Sequence, residues 1–432
     1  MIVRLRKNDV LMHGAIAFGG VVVSNVFNYL YYMLVGRRAG VVTYGEVTSV
    51  VSVLFVLAAP ATVGQLVVAR LSAGLDAVGD RASLRRLGDL VTMWTGAVGL
   101  LAIVVLIAAR DPIAHFFAFD DAGPVVAGAV SLAMLLVAFV QRGVLQGAHL
   151  FTSLSASLAI EAVVKVIVGV ALVGRFGATG AIAGVAIGLA CAAAYNLAAY
   201  RLRFGTGRAR IPHDRATVLR VVGGIGLGQL TITVLTFYDV PLVKHAFDPR
   251  SAGLYAAAAL VGRAVIGACS FLPIVLLPKA TARAATGASA LPMLFAGAGS
   301  ALAITAVAAA AAAIAPAFVV TVIAGRAFAA AAPYVLPYVV AAGLLSTATV
   351  AAAYNFALHR YAFVPVTAIV ACAEIVTLCA WHPTISAVVA VLATGHACVL
   401  AATLSRVHGR ARVVAPADAE LDAQPIPVTE TI

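Results

Sequence analysis

The chain is written in long apolar runs separated by short polar breaks. The runs fall near 12–36, 46–69, 90–109, 123–147, 151–174 and 178–200. After a basic break at 201–217, six more fall near 218–247, 252–278, 290–314, 333–357, 361–381 and 384–405. A membrane-spanning helix needs about 20 apolar residues, so each run predicts one span. The segment 289–325 is too long for a single span, and its end, 318–325, is expected to bend out along the surface. The pattern predicts an all-α polytopic membrane protein of about twelve transmembrane helices in two six-helix lobes. The lobes are 1–200 and 218–405, joined by a cytoplasmic basic linker at 201–217. The tail, 406–432, gathers Pro416, Pro425 and Pro427 with Asp418, Glu420, Asp422 and Glu430. It is expected to be disordered and cytoplasmic.

Composition agrees with this pattern. Of 432 residues, 63% are hydrophobic and 11% charged, with a mean hydropathy of +1.05. A soluble domain is about 45–50% apolar and about 25% charged. The N-terminal residues 1–7 are basic like the head of a signal peptide, but the run behind them is too long for a cleaved segment and shows no clear cleavage site. It reads as a retained first span.

The net charge of +12 does not point to nucleic acid. Basic residues in a membrane protein gather in cytoplasmic connections, and most of the 29 lysines and arginines do so here if both termini are cytoplasmic. An odd number of spans would move many of these arginines outside. The five cysteines lie in apolar runs without a CxxC pair, and the nine histidines show no ligand spacing, so neither metal nor cofactor is expected. The loops near 110–122 and 315–332 hold Asp111, Asp120 and Asp121 but no acid/base set, so the chain is not read as an enzyme.

Five ionisable residues remain inside spans: Glu161, Lys165, Asp239, Arg263 and Glu374. A charge there costs about 2.5–3.5 kcal/mol on insertion scales, so each marks a protein-lined polar interior. Glu161 and Lys165, four apart in the fifth span, can form a helical ion pair. Asp239 lies roughly 12 Å, and Arg263 roughly 16 Å, from the outer ends of the seventh and eighth spans at 1.5 Å per residue. An arginine can bridge that offset, so pairing is feasible. Structural and functional roles stay open for both pairs. Glu374 stands alone in the eleventh span. Pro241, two residues past Asp239, can bend the backbone beside the charge, and Pro60, Pro273 and Pro365 also lie inside spans. Asn25, Asn28, Gln65, Gln229 and Asn355 add interior polarity, and Gly180, Gly184 and Gly188 have the small-xxx-small spacing of close helix packing.

The two halves echo each other weakly. The first span ends in Arg37-Arg38 before Tyr44-Gly45, and the seventh ends in Lys244 before Gly253-Leu254-Tyr255. At these residues the chain resembles the polysaccharide-transporter branch of the multidrug/oligosaccharidyl-lipid/polysaccharide exporter superfamily, the O-antigen and capsule flippases. The resemblance covers roughly residues 10–405. It rests on Tyr29 through Arg38 with Tyr44-Gly45; Arg142-Gly143-Val144-Leu145-Gln146-Gly147 with Phe151; Asp239 through His245 with Ala252-Gly253-Leu254-Tyr255 and Gly262-Arg263; Pro278-Lys279; and Gly325 through Phe328 with Ala332-Pro333.

The resemblance implies two six-helix lobes in a V shape and alternating access. It implies a lipid-linked oligosaccharide on undecaprenyl diphosphate, carried across the bacterial cytoplasmic (inner) membrane for surface polysaccharide biosynthesis. Arg263 would meet the diphosphate or a sugar acid; Lys165 and Asn28 are further candidate substrate contacts by their place inside spans. Asp239, with Glu161 and Glu374, would couple an ion or gate. Partners would be that lipid-linked substrate, membrane lipid and a coupling cation. The chain departs from related lipid II flippases, whose first span carries cavity arginines, and from drug exporters with an acidic residue there. Asn25 and Asn28 occupy that span instead. An ion-coupled exporter of small amphipathic cations and a membrane enzyme of polysaccharide assembly are the alternatives.

Overall fold

The computed structural model describes residues 7–206, 222–286 and 288–407. The basic N-terminal residues before 7, the linker beyond 206 and the tail beyond 407 lie outside the described residues. Among those described, every regular element is helical: α1 (Lys7–Ala77), α2 (Arg81–Ala108), α3 (Arg110–Phe116), α4 (Gly123–Gly147) and α5 (Phe151–Arg203). A π-helical turn (Val222–Gly226) leads into α6 (Leu227–Phe237), α7 (Asp239–Ala246), α8 (Pro249–Cys269), α9 (Phe271–Ala285), α10 (Leu291–Ile314) and α11 (Pro316–Ile323). A 3-10 turn (Arg326–Ala331) precedes α12 (Ala332–Ala357), α13 (Val364–Ala380) and α14 (Ile385–Leu404).

Eight helical stretches are long and apolar enough to cross a membrane among the described residues. Two of these, in α1 and α5, are broken by glycines at positive φ, Gly40 (φ 78°) and Gly177 (φ 54°). Each therefore supplies two of the expected spans. The seventh span is carried by α6 and α7, and the eleventh by the 17-residue α13. Every expected span is thus helical over nearly all of its described residues, and the protein is an all-α polytopic membrane protein.

Several boundaries differ from the hydropathy reading. The third span starts at Arg81, not near residue 90, because the Asp80 side chain accepts from the Ser83 amide at 3.0 Å and caps a turn too basic to register as apolar. The eighth span breaks at Ser270, between α8 and α9, and the seventh at Tyr238. In both cases a proline follows four residues after the last helical position, Pro241 after Phe237 and Pro273 after Cys269. A proline has no N–H for the carbonyl four residues back and clashes with it. Pro365 is not inside a span; it opens α13, where its missing donor costs nothing. The segment after residue 314 does turn off, at Ala315 (φ −143°), into the short α11.

The contacts group the chain into two compact units. Of the described residues, the first holds 7–31, 57–206 and 222; the second holds 32–56, 223–286 and 288–407. In the first unit, Val68, Leu84, Val144, Leu145 and Tyr200 form a buried cluster. The two halves of α5 approach so closely that a Cβ on Gly188 would lie 2.7 Å from the Glu161 carbonyl oxygen. In the second unit, α8 buries Ala256, Ala257, Ala258 and Ala259 almost completely and packs on α12. Small side chains let helix backbones approach where lipid supplies no hydrophobic drive.

Candidate functional site

The interruption at Tyr238 organises the polar interior of the second unit. It sends two adjacent side chains into two acidic clusters. Asp239, the first residue of α7, is 1% exposed along its side chain. Arg263 of α8 donates from Nη2 to Asp239 Oδ1 at 2.9 Å and from Nη1 to Ser52 Oγ at 2.9 Å. Tyr255 donates to Asp239 Oδ2 at 2.8 Å, and Tyr338 donates to the same oxygen. The two tyrosine rings meet edge to face, with centroids 5.7 Å apart. The guanidinium carbon lies 4.9 Å from the centroid of Phe237, which stacks on Phe55. Three donors thus replace the water that burial removes from the carboxylate. The arginine side chain keeps 15% of its surface exposed, against 1% for its counter-ion.

Tyr238 turns the other way and donates to Glu374 Oε1 at 2.6 Å. His396 Nε2 lies 3.8 Å from the same oxygen. Glu374 stands alone on its own helix, as the sequence indicated, but the fold brings it Tyr238 from the break between α6 and α7 and places His396 of α14 beside it. Its carboxylate lies over Gly395, where a Cβ would sit 1.8 Å from Oε2. Among the described residues Oε2 and His396 Nε2 have no hydrogen-bond partner. His396 Nδ1 is 2.9 Å from the Ala341 carbonyl oxygen, so the proton of the neutral ring belongs on Nδ1 and Nε2 is an acceptor.

In the first unit the expected Glu161–Lys165 pair is replaced by two others. Glu161 Oε2 is taken by Arg142 Nη2 at 2.6 Å, with Ser157 Oγ accepting from Arg142 Nε at 3.1 Å. Lys165 donates instead to Asn28 Oδ1 and lies 5.2 Å from the centroid of the Tyr31 ring. Asn28 in turn donates to Ser24 at 3.3 Å. The i,i+4 rule could not see a competitor on another helix, here Arg142. Its side chain is 4% exposed. The structure therefore joins Lys165 to Asn28, pairs Asp239 with Arg263, and links Glu161 and Glu374 to residues the sequence did not single out. Glu46 is a further buried ionisable residue that the span-by-span reading passed over.

Among the described residues no group of three or more His, Cys, Asp or Glu side chains is placed to hold a metal ion. The cysteines are free, Cys269 buried and the other four exposed on their helices.

A helical bundle with charges satisfied in its interior defines a polytopic membrane protein built around polar sites. No family model matches the chain, and no curated protein matches it in sequence. Solved structures do. An inward-facing multidrug resistance MATE family transporter of the MOP superfamily aligns with a TM-score of 0.67 at 13% identity, over 91% of this chain and 96% of that one. The lipid II flippase MurJ in an inward closed conformation aligns with a TM-score of 0.68 at 11% identity, over 92% of this chain and 87% of that one. An outward-facing MATE structure gives 0.64 at 10% identity, over 94% and 96%. At these identities the likeness is one of fold: the chain shares the helical fold of these transporters.

Proposed function

We propose that this chain is a flippase, moving a lipid-linked oligosaccharide across the bacterial cytoplasmic membrane by alternating access between lobes 1–200 and 218–405, with both termini cytoplasmic. The observation that carries the reading is Arg263, a guanidinium inside an apolar unit, aimed by Asp239 and Ser52 and partly open. A planar guanidinium suits bidentate contact with a phosphate. A diphosphate arriving at Arg263 competes with Asp239, whose carboxylate keeps its two tyrosine donors when the arginine turns away. Exchange of one anion for another changes the local balance without leaving a bare charge in a low-dielectric interior. Lys165 with Asn28 supplies a second cationic and hydrogen-bonding group for the sugar or the diphosphate. Asp239, Glu161 and Glu374 are the acids available for ion coupling or gating. That one structural neighbour is a lipid II flippase supports the substrate class.

The test is substitution in a strain whose surface polysaccharide depends on this protein. Arg263→Ala and Asp239→Asn are each expected to abolish that polysaccharide while the protein still inserts at normal level, with Arg263→Lys retaining a fraction. Normal polysaccharide in both of the first two variants overturns the assignment. The second reading, an ion-coupled exporter of small amphipathic cations, is favoured by the unpartnered oxygen of Glu374 and by the MATE transporters among the neighbours. It requires that Glu374→Gln abolish resistance to such cations while polysaccharide stays intact.

A further inference from the structure

A groove between α13 and α14 is separate from the Arg263 cluster. Its volume is about 390 Å³, within the range of small-molecule sites. Val370, Ala373, Thr377, Val391 and Thr394 form its walls, and Glu374 forms its floor. Ala373, Thr377 and Thr394 are exposed on their spanning helices. The walls are weakly polar: the exposed Cys398 thiol lines the groove, and the two threonine hydroxyls spend their protons on backbone carbonyls. The Thr377 hydroxyl donates to the Ala373 carbonyl at 2.7 Å and the Thr394 hydroxyl to the Ala390 carbonyl at 2.9 Å, leaving their methyl groups to the groove. At the floor the Glu374 side chain is 0% exposed, its Oε1 is held by Tyr238, and its Oε2 has no partner among the described residues. The result is a largely apolar slot on a bilayer-spanning surface, with one unsatisfied carboxyl oxygen buried just beneath its floor.

An unmet buried carboxyl oxygen calls for a donor. The apolar walls call for a ligand whose remaining atoms are apolar and which arrives from the bilayer. An amine meets both demands better than an alcohol, because its bond to the carboxyl is charge-assisted. A protonated amine meets the carboxylate, and a neutral amine takes the acid's proton; either route ends in the same N–H···O contact. We propose that the α13–α14 groove binds a bilayer-dissolved lipophilic amine, its nitrogen on Glu374 Oε2 and its apolar body between the two helices. Occupancy holds Glu374 in one state, so such an amine acts on the protein from the side, without entering the Arg263 cluster.

The experiment uses the full chain in lipid nanodiscs without any oligosaccharide, so it stands or falls apart from the flippase reading. Dicyclohexylcarbodiimide adds across its C=N bond to a protonated carboxyl reached through lipid, and peptide mass spectrometry reads the adduct. We expect modification of Glu374, slowed at least fivefold by N,N-dimethyldecylamine and not by 1-decanol. Thr394→Trp, on an exposed position, fills the groove and is expected to remove both the modification and the protection, with an unchanged melting temperature. Glu374→Gln is expected to abolish saturable binding of radiolabelled N,N-dimethyldecylamine. Three results would each overturn the proposal: modification of Glu374 only after denaturation, equal protection by 1-decanol, or amine protection that persists in Thr394→Trp.

Discussion

Asp239 is tolerated because nothing about it is left unpaired, and that makes its neighbourhood sensitive to half-removal. Breaking one side of a buried ion pair costs about 3–5 kcal/mol, whereas replacing both partners costs far less. Asp239→Asn removes the carboxylate that neutralises the Arg263 guanidinium. It should lower the melting temperature in detergent more than the double variant Asp239→Asn/Arg263→Gln does, although the double variant regains no transport. Equal destabilisation by single and double variants would mean the pair is not coupled. The same logic ranks the first unit. Arg142→Met strands Glu161 and should destabilise by roughly 3 kcal/mol, while Lys165→Met removes a hydrogen bond to a neutral asparagine and should cost less, roughly 1–2 kcal/mol. Thermal melts of the two variants check the order. At this scale the sequence was legible for Asp239 and Arg263, opposite charges deep in consecutive apolar runs. It was opaque where a charge lay near a span end, as Arg142 does, because hydropathy cannot say whether such a side chain turns to water or to the interior.

The helices end where proline and glycine dictate, and that part was largely visible in advance. Pro241 marked the break beside Asp239, yet only the structure shows that the break divides Tyr238 and Asp239 between two acids. Contacts between elements were hidden. The echo of Tyr44-Gly45 in Gly253-Leu254-Tyr255 reads as repetition, but in the second unit the two glycines lie against each other. A Cβ on Gly253 would be 2.0 Å from the Val41 carbonyl oxygen and one on Gly45 would be 3.0 Å from the Gly253 Cα. Backbone cannot yield as a side-chain end can, so Gly253→Ala should lower the melting temperature clearly. Gly96→Ala, in α2 with nothing within 4 Å, should be neutral or slightly stabilising, since alanine favours a helix interior by about 1 kcal/mol. Equal melts for the two variants would refute the close contact. At the start of α8, Asp248 accepts from the amides of Arg250 and Ser251 at 3.1 and 3.0 Å. Hydrogen bonds from Ser251 hold its carboxyl below the usual carboxylate range. A folded value below the unfolded one means stabilisation that is present above the unfolded value, near 4, and is lost as pH falls through the folded one. Asp248→Ala should therefore cost about 1 kcal/mol at neutral pH, and the gap in melting temperature should close at strongly acidic pH.

At the scale of the molecule, the fold is shared with transporters at 10–13% identity. Such a fold needs apolar runs long enough to span, small residues that let helices touch and polar breaks between the runs. Those are the features the sequence displayed most openly, which is why the helix count was legible and the partners of Glu374 were not. Orientation in the membrane rests on a separate physical term. Basic residues resist translocation, and a connection rich in arginine stays in the cytoplasm. The connection between α1 and α2 leads into Arg81, Arg85 and Arg86, while those around Asp120 and Arg250 are poor in lysine and arginine. Single cysteines at Val78, Asp120, Arg250 and Ser289, all exposed, placed in a chain whose native cysteines are changed to serine, report that choice directly. A membrane-impermeant maleimide added to intact cells should label Asp120→Cys and Arg250→Cys and should leave Val78→Cys and Ser289→Cys unlabelled until the membrane is permeabilised. The reversed pattern would place both termini outside. Labelling of Asp120→Cys without Arg250→Cys would mean that the spans between them do not alternate as an even set, which would remove the basis for treating the two halves as parallel repeats.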